Sequence, residues 1–180
     1  MSTTYMVHVL DSSGSPAAVL DAVALATLNY KRVLNGAGTF QLTLRYDHPA
    51  AALLSEKHCP VEVYRYGYGR DVQREIGGLV YYTNLFEDED GAAWLVVSGL
   101  SLEFELARRV IDPRDDPAGA GGYSTKEGAA ETVMRARVDE QAGALATGLR
   151  RVAGLSVGSD SGAGSTVRGR WTWQDNLLEV

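Results

Sequence analysis

Apolar and polar residues alternate through much of the first half of the chain. Phe40, Leu42 and Leu44 are separated by Gln41, Thr43 and Arg45, and this period of two puts the apolar side chains on one face of a half-buried strand. Pro60 to Tyr66 alternates in the same way. Tyr5 to Leu10 is a short β-branched and aromatic run, closed by the turn-rich stretch Asp11 to Pro16. Ala17 to Leu20 and Leu28 to Leu34 read as further strands, followed by the turn dipeptide Asn35-Gly36. Pro49 to Ser55 reads as a helical turn, with proline early, where its missing N–H costs nothing. Gly67 to Asp71 is a hairpin loop, and Arg74 to Phe86 is a long strand in which Gly77-Gly78 predicts a bulge or bend. Glu87 to Gly91 closes a second hairpin, and Trp94 to Ser98 returns.

The pattern changes at Gly99. Leu102, Leu106 and Val110 recur at intervals of four, which predicts a short helix, while Leu102, Phe104 and Leu106 also fit a strand. Asp112 to Gly122 is rich in Pro, Gly and Asp and is a linker or a long exposed loop. Ser124-Thr-Lys-Glu127 has the form of a capping box. It predicts a helix running to about Glu140 with Ala130, Val133, Met134 and Val138 on one face. Val152 to Val157 and Thr166 to Trp173 read as strands around a loop from Gly158 to Ser165, with Val167, Trp171 and Trp173 sharing a face. Asp175 to Glu179 has the form of a helix start. A single helical turn does not hold itself together, so the ending at Val180 predicts a fragment or truncated product of a longer protein.

The fold expected is α+β and mainly β. An antiparallel β-barrel or sandwich occupies residues 1–111, a linker or long loop residues 112–123, and a small, truncated α/β segment residues 124–180. Hydrophobic residues at 45% and charged residues at 22% allow a packed core. The net charge of -6, with no basic stripe beyond the pairs Arg108-Arg109 and Arg150-Arg151, argues against specific nucleic-acid binding. Cys59 is the one cysteine, so neither an intramolecular disulfide nor a multi-cysteine zinc site is expected. The N-terminus lacks the form of a signal peptide, and no apolar stretch approaches the roughly 20 residues that span a bilayer. A soluble protein made in a reducing cytoplasm, without membrane insertion, is the expectation.

Candidate chemistry is sparse. His8, His48 and His58 show no metal-helix spacing. His58 and Cys59 are adjacent on an extended chain and point to opposite faces, which suits an incidental thiol better than a nucleophile and base. The glycines from Gly119 to Lys126 lack the ending of a phosphate loop. The carboxylates Glu87 to Asp90 and Asp115-Asp116 lie in polar turns, without the pocket a general acid needs. No catalytic residue, metal site or cofactor is expected. Tyr64, Tyr66 and Tyr68 recur at period two, as do Trp171 and Trp173. With Tyr81 and Tyr82 of the long strand, they are the candidate interface residues, and the strand from Arg74 to Phe86 with its hairpin partners is the expected interface. Core packing, subunit contact and ligand stacking are all open to such rows.

Several segments together resemble the N-terminal part of siphophage tail proteins of the baseplate-hub, or tail-associated, type. They are Leu34 to Leu44, Leu95 to Leu100 running into Phe104 to Ile111, Glu127 to Met134, and Trp173 to Leu178. The resemblance implies small β-barrels related to the tail-tube fold, joined by an α/β domain. It also implies a homo-oligomer, a trimeric ring at the tip of the virion tail. Its partners would be distal tail and tail-tube proteins above and tail fibre or spike proteins below. The leading expectation is a structural component of a phage or prophage tail tip. The alternatives are a glycan-binding β module for host-surface attachment, motivated by the tyrosine row, and a cell-wall hydrolase, for which no nucleophile, metal set or carboxylate pair stands out.

Overall fold

Strands Pro16–Leu20 (β2) and Leu25–Lys31 (β3) follow each other in the chain, yet they occupy opposite margins of one antiparallel sheet. The structure is a computed structural model that describes residues 4–34, 36–67, 72–109, 111–112, 123–152, 155–172 and 177. The chain divides into two compact units, Met1–Phe104 and Glu105–Val180.

The first unit contains β1 (Thr4–Leu10), β2, β3, β4 (Thr39–Arg45), a short helix α1 (Ala50–Leu54), β5 (Pro60–Tyr66), β6 (Gln73–Glu87) and β7 (Ala93–Ser101). Its seven strands run in the order β2-β1-β5-β6-β7-β4-β3. Laid flat, such a sheet would separate its margins by six inter-strand spacings, about 29 Å. The link from Leu20 to Leu25 reaches at most about 17 Å. The sheet therefore curls into a half-barrel whose open seam lies between its two marginal strands. Asp21 shapes the link, its carboxylate accepting the N–H groups of Val23 at 2.9 Å and Ala24 at 3.0 Å. Across the seam the rings of Tyr5 and Tyr30 meet edge to face, with centroids 6.0 Å apart.

The inward positions are apolar, as the alternation requires. Val7 and Val9, Leu42 and Leu44, Val61 and Val63, and Leu95 and Val97 fill one core, to which α1 adds Ala50, Ala51 and Leu54. Each large aliphatic side chain so buried is worth roughly 1.5–3 kcal/mol. Gly77-Gly78 is not a bulge. The register shifts instead on either side of it, at Glu75 and at Tyr81, where one residue of β6 has no cross-strand partner. The ring of Phe40 lies where side chains on Gly78 and Gly99 would sit, so both positions demand glycine for close approach. The β2 and β3 boundaries differ slightly from the sequence expectation, β3 beginning at Leu25 and ending at Lys31. The segment after Ser101 resolves to a short helix, α2 (Glu103–Ala107). Asn35 and the hairpin tip at residues 68–71 lie outside the described residues.

The second unit pairs β8 (Tyr123–Ala129) with β9 (Thr166–Thr172), and helix α3 (Ala130–Gln141) packs on both. The capping-box expectation fails. Ser124 and Glu127 lie in β8, which is paired residue by residue with β9, and α3 starts at Ala130 with no side-chain cap, its first N–H groups donating to the carbonyls of Ser165 and Ala163. Cross-strand pairing has overridden the local helix signal. The buried face of α3 is also different. Val133, Arg137 and Gln141 are buried, while Met134 is 52% exposed. No strand forms at Val152 or at residues 155–157; instead Val152 and Leu155 pack on Ile111, Ala142 and Leu177. The expected helix start at Asp175 to Glu179 lies outside the described residues except for Leu177. Asp112 is buried here too, its N–H and carbonyl held by the Gln141 amide at 2.7 and 3.1 Å.

Candidate functional site

The tyrosine row predicted from β5 lies on the outer face of the half-barrel, because Val61 and Val63 take the inner one. Tyr64 is tied into a polar network there. Its hydroxyl donates to Glu62 at 2.7 Å, Arg74 of β6 donates to the same carboxylate at 2.7 Å, and the His8 ring stacks at 4.6 Å. Burial opposes ionisation of Glu62, but the Tyr64 and Arg74 bonds outweigh it and hold the carboxyl below its usual range. Tyr66 is half-buried at the end of the same strand, opposite Thr4. Tyr68 lies outside the described residues.

The inner row of β5 ends in Arg65 rather than in another valine. Arg65 donates to Glu75 at 2.5 Å, and Arg32 adds a second contact at 3.5 Å. Glu75 is the residue that the first bulge of β6 adds, and its side chain is 8% exposed. Tyr30 lies beside this pair, its hydroxyl pushed up to about 12, first by burial and then by its bond with Tyr5. The sequence marks this polar end of the core only as a break in the apolar alternation of β5.

The second half of β6 has a different character. Its pairing with β5 ends at Leu79, and a backbone exchange between Val80 and residues 58–59 follows. Beyond Val80, among the described residues, β6 pairs with β7 alone. Among the described residues no strand pairs with the other margin from Tyr82 to Glu87, and such an edge is a template for another strand. Tyr81 packs edge-on against His58 at 5.1 Å and Phe104 at 5.5 Å. Tyr82, Leu85 and Phe86 are 65%, 52% and 42% exposed. Leu85 and Phe86 fall within the long strand, Arg74 to Phe86, expected from the sequence as an interface, and two adjacent apolar residues in an alternating strand must place one of them outward. The arm's turn is braced by Asp88, which accepts from Ala92 N–H at 2.8 Å and from the Trp94 indole at 2.7 Å. The indole bond first, and the backbone bonds after it, keep this carboxyl below its usual range.

Trp171 is part of the interior of the second unit. It packs against the Ile111, Ala142 and Leu177 cluster, and the Arg137 guanidinium lies 4.4 Å from its ring centroid. Trp173 lies outside the described residues. The structure thus places Tyr64 and Tyr66 together, Tyr81 and Tyr82 on the neighbouring strand, and Trp171 in the other unit. Cys59 is buried, and burial pushes its thiol up to about 11, far from the thiolate that nucleophilic chemistry uses. Among the described residues no group of His, Cys, Asp and Glu is arranged to hold a metal ion, and no helix is long and apolar enough to cross a membrane.

A family model described as Siphovirus ReqiPepy6 Gp37-like protein matches residues 6–179. No curated protein matches the chain. Among solved structures, the tail protein from Neisseria meningitidis MC58 is similar at 15% identity and a TM-score of 0.41, over 62% of this chain and 28% of that one. A Francisella PdpA-VgrG complex is similar at 10% identity and a TM-score of 0.36, over 59% and 19%. The chain spans less than a third of the length of either.

Proposed function

The chain belongs to the family of Siphovirus ReqiPepy6 Gp37-like proteins, a phage tail protein family, and on that premise we propose that it is a structural component of the tail tip, part of the baseplate-hub ring. In this reading it acts through shape and contact area. Copies assemble with one another and with distal tail, tail-tube and fibre or spike proteins, and no covalent chemistry is assigned to it. The observation that carries the reading is the family match over nearly the whole chain. The open edge of β6, with Leu85 and Phe86 exposed beside it, supports self-association, because an exposed edge gains by pairing with another chain. The net charge of -6 suits a wall that DNA passes without sticking.

Immunogold electron microscopy of phage particles, with an antibody to this chain, tests the assignment. Label confined to the distal end of the tail is expected. Label on the head, along the tail shaft or absent from particles would overturn it.

A further inference from the structure

Four side chains line up across the outer face of the first unit. Asn29 of β3 stands opposite Gln41 of β4, Gln41 opposite Ser98 of β7, and Ser98 opposite Tyr82 of β6. The row crosses three inter-strand spacings, about 14 Å. A second row runs beside it, with Lys31 opposite Thr39 and Thr39 opposite Leu100. The two rows border a concavity of about 510 Å³. Part of its lining is bare backbone at Gly99, where the Phe40 ring leaves no room for a side chain.

The chemistry of this row is specific. Tyr82 is 65% exposed and offers a rigid aromatic face to solvent. Asn29, Gln41 and Ser98 each present both hydrogen-bond donors and acceptors. Gln41 donates to Ser98 at 3.2 Å, which holds two of these groups in place. Lys31 is the one charged side chain in the lining. A nucleic acid would call for a basic patch, which a single lysine does not supply. A ligand with an apolar ring face and a rim of hydroxyls meets both the tyrosine and the amides, and a neutral sugar has that form. We propose that the row from Asn29 to Tyr82 is a saccharide-binding site for a short, neutral oligosaccharide. It is a separate place from the Tyr64 network, where the hydroxyl and ring are already engaged within the protein.

The test is a titration of the full chain, followed by amide NMR, with tri-N-acetylchitotriose, maltotriose, cellotriose and mannotriose to millimolar concentration. Binding of at least one, with shifts at Gln41 and Ser98, is expected. Tyr82→Ala and Gln41→Ala should each weaken it by about tenfold, the scale of one aromatic or hydrogen-bonded contact. Both residues are exposed, and unchanged far-ultraviolet dichroism and melting temperature verify the fold. Silence from all four sugars, or binding that survives both substitutions, would overturn the site. Tail location is read independently, so either proposal can fail without the other.

Discussion

The two units hide very different groups from water. The interior of the half-barrel is mainly apolar, from Val7 on β1 to Val97 on β7, with the Arg65–Glu75 pair and the buried Ser101 hydroxyl, which accepts from Gly38 N–H at 2.8 Å, among its polar groups. The second unit has a small apolar cluster at Ile111, Ala142 and Leu177, and beside it Arg137 and Gln141 are fully buried. Arg137 is held by Ser124, by Glu140 at 3.4 Å and by the face of Trp171. One unit is stabilised by non-directional burial, which tolerates changes of shape. The other depends on directional contacts to a buried cation, which fail sharply when one partner is lost.

The largest expected effect follows from that difference. Arg137→Ala should destabilise the second unit by about 3–5 kcal/mol, the usual result of removing one member of a buried charged network. Hydrogen exchange resolved by segment should show α3, β8 and β9 opening while β4 and β7 stay protected. Equal opening of both units would erase the contrast. Leu42→Ala comes next, at about 2–5 kcal/mol, now with the protection pattern reversed.

A smaller effect is pH-dependent. Glu131, in the first turn of α3, accepts from Ser161, from Ala163 N–H at 3.0 Å and from Arg135 at 2.7 Å. These bonds, the Ser161 hydroxyl first, lower its carboxyl from 4.5 to about 2. A folded value below the unfolded one means the clamp is complete above pH 4.5 and is lost as pH falls through about 2. Amides near Ser161 and Ala163 should lose protection in that window, and Glu131→Gln should abolish the dependence. The smallest effect is expected at Arg168 and Glu127, whose side chains are 74% and 64% exposed at 3.8 Å. Glu127→Gln should leave the melting temperature unchanged within error.

The same contrast governs what the sequence could disclose. The strands of the half-barrel announce themselves, because alternation is local and each apolar residue has one place to go. Their order is not local. That β2 and β3 face each other across a seam follows only once the long-range pairings are known, and so does the row from Asn29 to Tyr82, which gathers residues from four strands. In the second unit even local signals mislead. Ser124 and Glu127 have the form of a cap, but their backbone is taken up by β9 and Ser124 bonds to Arg137 instead. An arginine on the buried face of α3 breaks the periodicity that would mark that face. Among the candidate interface residues, Tyr81 and Tyr82 lie on the strand with an open edge, whereas Trp171 is packed within its own unit.

The central claim is that this chain acts by contact, through the open arm of β6. Native mass spectrometry of the purified chain across a concentration series tests it directly, alongside the double variant Leu85→Lys, Phe86→Lys. The account predicts a discrete oligomer that the double variant reduces to monomer with its fold intact. A chain that stays monomeric at every concentration, or an oligomer that the two lysines leave unchanged, would contradict it.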